Sequence, residues 1–216
     1  MEENNYKKEY LKEVKLSYPP RHITIGITSA CNNRCLFCSY HGEDAKDNSE
    51  VYNLPFMLSI ADFKKIVDMA YRGGVSTIHV CGTGEPFLNP SVIDMLDYVI
   101  EVYKEVSFQT NFWKQLFDKN DYLSEIVKRA DYISYIATDV CSSLPEEHEY
   151  IKKGAKYSEL LDSLEYIAKN SNIKICPFLI LTKSNCKHIK GIIDDFLERG
   201  ITNFQLNIGN LFSYDY

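Results

Sequence analysis

The chain has 216 residues, of which 45% are hydrophobic and 25% charged, and a formal net charge of −6. That size and balance fit one sizeable soluble domain that buries a core without staples, and the acidic excess argues against a nucleic-acid surface. No run of about 18 apolar residues exists to cross a membrane, and the polar start MEENNYKKEYLKEVKLSYPP lacks the apolar centre of a secretory signal, so a cytoplasmic protein is expected.

Residues 1–20 read as an N-terminal extension and residues 21–216 as one core domain. His22–Thr28 (HITIGIT) is a predicted strand. A cysteine-containing segment follows, then a polar, acidic loop over Gly42–Asn53, expected to be mobile. Ser59–Arg72 carries Ile60, Phe63, Ile66, Val67 and Ala70 at helical spacing, with Ser59 and Asp62 placed as a capping box and Gly73 as a stop. Ser76–Cys81 is a second strand. Asn89-Pro90 reads as an N-cap with proline at the first helical position, opening a helix with Val92, Leu96, Val99 and Tyr103.

The alternation continues. Val106–Thr110 is a strand and Tyr122–Arg129 a helix. Ile133–Thr138 is a strand and Ser158–Asn170 a helix. Ile173–Leu181 is a strand and His188–Arg199 a helix stopped by Gly200. Asn203–Ile208 is the sixth strand. Strict β/α alternation predicts an α/β fold with a parallel sheet and helical crossovers, either a partial (β/α)6 barrel or an open doubly wound sheet.

Seven cysteines are present, and Cys31, Cys35 and Cys38 fall within one loop directly after the first strand. An odd count with such clustering is not a disulfide framework and reads as metal binding. Thiolates suit iron–sulfur clusters and zinc alike. Three thiolates on one loop can ligate three irons of a cubane and leave the fourth open for a chelating ligand. A structural Cys3His zinc site with His41 as fourth ligand is the competing reading.

CxxxCxxC after a first strand resembles the signature of the radical S-adenosylmethionine (SAM) superfamily. The run Pro20-Arg-His-Ile-Thr-Ile-Gly-Ile-Thr-Ser-Ala-Cys31-Asn-Asn-Arg-Cys35-Leu-Phe-Cys38 is similar to the branch holding peptide-modifying and molybdopterin-biosynthesis enzymes. The resemblance implies a [4Fe-4S] cluster on Cys31, Cys35 and Cys38, with Phe37 near the SAM adenine. It makes the run Cys81-Gly-Thr-Gly-Glu-Pro86 similar to the family's GGEP motif, which binds the SAM amino group mainly by backbone, with Thr83 in place of its first glycine, Gly84 and Glu85 matching, and Gly82 just before it. Asn111 falls in a segment similar to TNG, with Phe112 in place of the usual glycine. Asp139 matches the segment that contacts the ribose, with Ala137 where serine is common. The four features fall at the C-terminal ends of successive predicted strands, the rim at which parallel α/β proteins bind ligands.

What the resemblance implies is reductive cleavage of SAM, driven by an external electron donor, to a 5′-deoxyadenosyl radical that abstracts hydrogen from a substrate. A peptide is the favoured substrate over a small metabolite. Cys141, just past the fourth strand, is a candidate hydrogen donor or a structural thiol. Cys81 and Cys176 read as core, and His79 as a satisfied interior or helix-facing group. No helix is evident after the sixth strand, so either the domain is a minimal one or a partner chain or further segment covers that edge. A zinc-binding interaction module and a truncated, non-catalytic radical SAM domain are the alternatives.

Overall fold

The computed structural model describes residues 18–42 and 56–210. Most of the expected N-terminal extension, and the loop Gly42–Asn53 apart from Gly42, lie outside the described residues.

Six parallel strands form the main sheet. In their order across it they are β1 His22–Gly26, β3 Thr77–Cys81, β4 Val106–Gln109, β5 Ile133–Asp139, β7 Ile175–Leu181 and β8 Asn207–Asn210. The sheet curls into a half-barrel with helices around it. A separate two-residue ribbon pairs β2, Arg34–Cys35, antiparallel with β6, Lys152–Lys153. The helices are α1 Ile60–Arg72, α2 Val92–Tyr103, α3 Lys114–Asn120, α4 Tyr122–Lys128, α5 Pro145–Ile151, α6 Tyr157–Asn170 and α7 Ile189–Glu198.

Period-two alternation sorts each strand into two faces. Ile78, Val80, Phe108, Ile136 and Leu179 point outward and are fully buried against Phe63 and Val67 of α1, Leu96 and Val99 of α2, Leu164 and Ile167 of α6, and Ile192 and Phe196 of α7. Each such side chain contributes about 1.5–3 kcal/mol by leaving water. The register Thr24↔His79, His79↔Ser107, Ser107↔Tyr135 puts the opposite residues on the lumen face. There His79 Nδ1 bonds Ser107 Oγ at 2.9 Å and its ring stacks on Tyr135. His79 is thus a satisfied lumen group, held neutral by burial and by neighbouring His22, which lower its pKa to about 4.

Several sequence-based boundaries shift. The first strand ends at Gly26, because the chain turns there so that Thr28 can bridge Met57 antiparallel. Helix α2 starts at Val92, not at Pro90; Ser91 holds the N-cap position without a side-chain cap bond, and Asn89 Oδ1 accepts from Ser91 N at 3.0 Å. Asn89 also braces the fold from inside. It is buried, and its Nδ2 donates to Ile27 O and Leu58 O, both at 3.0 Å, tying the end of β1 to the start of α1. Ser59 caps α1 as expected, accepting from Asp62 N at 3.1 Å. The last strand is broken. Phe204 bridges Ile175, and regular pairing resumes only at Asn207. Ile208, paired beside Leu179 on the outer face, is 52% exposed.

Helices α3 and α5 and the β2–β6 ribbon have no counterpart in the sequence reading. Pro145 at the first helical position, with Glu146 and Glu147 in the first turn, was the available signal for α5. The ribbon had none, because its two halves are over a hundred residues apart in sequence.

Candidate active site

The C-terminal ends of β1, β3, β4 and β5 share one rim, and the sequence-predicted residues gather there. The cysteine loop leaves β1 and folds back through turns, with Cys38 N donating to Cys35 O at 3.0 Å and Gly42 N to Cys38 O at 2.9 Å. Two backbone amides face its sulfurs: Asn33 N approaches Cys31 Sγ at 3.4 Å and His41 N approaches Cys38 Sγ at 3.3 Å. Burial raises the Cys31 thiol and pushes Cys35 up to about 12. Metal binding would therefore displace protons from thiols held neutral by desolvation.

The Gly82–Glu85 turn after β3 packs directly on this loop. A Cβ on Gly84 would lie 1.9 Å from Ala30 O and one on Gly82 would lie 2.5 Å from Thr28 O. The glycines are thus required by backbone against backbone, a reason beyond the close approach to a ligand read from the sequence. Glu85 N seals the contact on Ala30 O at 2.7 Å.

Glu85 is fully buried, and its carboxylate turns inward. It accepts from Phe87 N at 3.1 Å, Thr110 Oγ1 at 2.8 Å and Asn111 N at 2.6 Å. Burial raises its pKa against these donors and the nearby Lys152. Glu85 therefore fixes the end of β4. Phe112, in the position where the family has glycine, adopts φ 52°, the left-handed region that glycine tolerates best. Its ring is buried against Phe117, with Phe87 and Tyr122 completing the aromatic cluster.

Lys152 is the residue the sequence reading missed. It follows α5 in β6, 1% exposed, with its backbone paired to Cys35. Its Nζ donates to Asn111 Oδ1 and to Asp139 O, both at 3.2 Å, and stands 3.9 Å from Asp139 Oδ2. Burial opposes its charge, but Asp139, the Cys35 and Cys141 sulfurs and Glu85 outweigh that and raise its pKa. Asn111 Nδ2 in turn reaches Cys31 Sγ at 3.8 Å and Asn32 Oδ1 at 3.5 Å. Gly154, at φ 99°, lets the chain leave the ribbon close over Asn32 O.

Phe37 lines a mostly apolar cavity of about 270 Å³ with Leu36, Tyr150, Ile151, Glu147, Thr182 and Ser184. Cys141 is buried; its N–H donates to His148 Nδ1 at 3.3 Å and its carbonyl accepts from Asn185 Nδ2 at 2.9 Å. Cys176 is buried as expected, whereas Cys81 is only half-buried, on the lumen face beside Gly26.

The chemistry of the donor set fits a cubane. Among the described residues no three His, Cys, Asp or Glu side chains converge on a point able to hold a single ion, and His41 Nε2 is buried without a partner. A cubane makes a different demand, since each thiolate takes its own iron and the sulfurs stand apart.

A family model of the radical SAM superfamily matches residues 25–197. The chain belongs to the radical SAM superfamily. Its members use a [4Fe-4S] cluster and SAM. This radical SAM chain is 34% identical over 92 residues to the Bacillus subtilis (strain 168) antilisterial bacteriocin subtilosin biosynthesis protein AlbA, a match spanning 43% of this chain and 18% of AlbA. It is 21% identical over 206 residues to a probable GTP 3′,8-cyclase of Methanothermobacter thermautotrophicus, covering 84% of this chain and 62% of the cyclase. The half-barrel is also that of Streptococcus suis SuiB, with a TM-score of 0.70 at 18% identity over 99% of this chain and 46% of SuiB. The chain thus spans less than two thirds of each of these proteins. Among the described residues no helix is long and apolar enough to cross a membrane.

Proposed function

We propose that this chain reductively cleaves SAM at a [4Fe-4S] cluster held by Cys31, Cys35 and Cys38, and that the substrate losing hydrogen is a peptide. The observation carrying this reading is the convergence of the cysteine loop, the Gly82–Glu85 turn, Asn111, Asp139 and Lys152 on one rim. When bound, the cluster and SAM supply one-electron cleavage of the sulfonium bond to methionine and a 5′-deoxyadenosyl radical, with the electron delivered by an external donor.

The protein's share is binding and orientation. Since the Glu85 carboxylate is taken by three protein donors, the backbone of Gly82, Thr83 and Gly84 is what the turn offers the SAM amino group. Lys152 offers a buried ammonium to the carboxylate, where a desolvated charge needs a counter-charge. Asp139 offers an acceptor for the ribose hydroxyls, and the cavity walled by Phe37 and Ile151 accepts the adenine. A peptide substrate is supported by the likeness to AlbA and to SuiB, which has been solved with its precursor peptide SuiA. The likeness to the cyclase favours a nucleotide as second reading.

Anaerobic reconstitution with iron and sulfide tests the proposal. Cubane absorbance, followed by 5′-deoxyadenosine on adding reductant and SAM, is the expected result. Stoichiometric zinc without iron uptake would sink it in favour of an interaction module. A cluster that never yields 5′-deoxyadenosine would make the chain a non-catalytic domain. Hydrogen loss from deuterated peptide or from GTP then separates the two substrate classes.

A further inference from the structure

One polar chain on the rim has an orientation that bears on the cluster itself. Lys152 Nζ donates to Asn111 Oδ1 at 3.2 Å, and Asn111 Nδ2 lies 3.8 Å from Cys31 Sγ. An ammonium has donors and no acceptor. Asn111 must therefore turn its oxygen toward Lys152, which leaves its NH2 facing Cys31 Sγ and Asn32 Oδ1. Without that ammonium the amide could flip and present oxygen to the sulfur.

The arrangement cannot drift. Lys152 is paired through its backbone with Cys35, and Leu36 N bonds Ile151 O at 2.9 Å, so ammonium and cysteine loop move as one piece. Asn111 is held from behind by Glu85, which accepts its backbone N–H at 2.6 Å. The Lys152 side chain is 2% exposed, so water screens its charge little.

Hydrogen bonds to ligating sulfurs and nearby charge are what a protein uses to set an iron–sulfur potential. Reduction adds one negative charge, which an N–H···S donor and a buried cation both stabilise. We propose that Lys152 is a positioning residue that locks the Asn111 amide as a donor to the Cys31 sulfur, and that the pair raises the reduction potential of the cluster. This rests on the reading of Cys31 as a cluster ligand.

The test is a redox titration of the reconstituted protein, followed by electron paramagnetic resonance and made without SAM so that SAM binding does not enter. Asn111→Ala and Lys152→Met should each lower the reduced-to-oxidised ratio at fixed potential about tenfold, a shift of roughly 59 mV for a one-electron couple. Lys152→Arg, still a donor-only cation, should restore most of it. The double variant should shift by less than both single shifts combined, because both substitutions remove one shared bond. Asn111→Ser, a smaller change, keeps the measurement possible if Lys152→Met does not fold. Variants that assemble a cluster of unchanged potential would overturn the inference alone. A wild-type chain that assembles no cubane would overturn the ligand reading and the inference with it.

Discussion

The Glu85 carboxylate accepts the backbone N–H of Asn111 at 2.6 Å, and so joins the turn after β3 to the end of β4 from within the core. A sequence motif that looks like a ligand-binding carboxylate is here also the clasp of the rim. Glu85→Ala would leave the donors of Phe87, Thr110 and Asn111 buried without an acceptor, at about 1–3 kcal/mol each when nothing replaces it. We expect a loss of about 3–5 kcal/mol in urea denaturation, and a smaller one of about 1–3 kcal/mol for Glu85→Gln, whose single amide oxygen keeps the Phe87 and Thr110 donors while its NH2 faces the Asn111 N–H. Equal effects of the two substitutions would refute the clasp.

Phe112 trades backbone strain for burial. Its φ of 52° costs a non-glycine residue about 1–3 kcal/mol, while its ring is buried against Phe117. Removing a buried phenyl ring costs about 3–5 kcal/mol. Phe112→Gly should therefore destabilise by about 2 kcal/mol despite relieving the strain. A rise in melting temperature would show that strain outweighs packing.

His148 makes stability depend on pH. Burial first, then Lys152, lower its pKa from 6.5 to about 3. Between those values the unfolded chain holds a proton that the folded ring refuses, so stability falls as pH drops from 6.5 toward 3. The limiting slope is about 1.4 kcal/mol per pH unit for one proton. His79 adds a similar contribution down to about pH 4. His148→Asn keeps an acceptor for Cys141 N–H but does not titrate. Denaturation midpoints between about pH 6 and roughly 4.5 should lose about half their pH dependence in that variant, and an unaltered slope would exclude His148 as a source.

Cys141 stands between two anchors, donating to His148 Nδ1 and accepting from Asn185 Nδ2 through its backbone, while its side chain is 1% exposed. Those anchors survive Cys141→Ala. The expected outcome is undiminished product formation with a small loss of stability. Continued 5′-deoxyadenosine release with product lost would instead assign the thiol a hydrogen transfer.

The sequence by itself determined the β/α alternation and the shared rim, left the half-barrel as one of two sheet architectures, and marked the cysteine loop as a metal-binding segment resembling that of the radical SAM superfamily. Those signals are local: period-two and helical spacing, a capping serine at 59, and three thiols within eight residues. It could not show that Lys152 is buried, that Asn111 turns its amide toward Cys31, or that Glu85 faces inward. A lysine after a short helix reads as surface, because a lone buried ammonium is costly. Only tertiary structure supplies what offsets that cost. It brings Asp139, Asn111 and Cys35, from three distant stretches of chain, around one nitrogen, with a ribbon pairing that no local pattern announces.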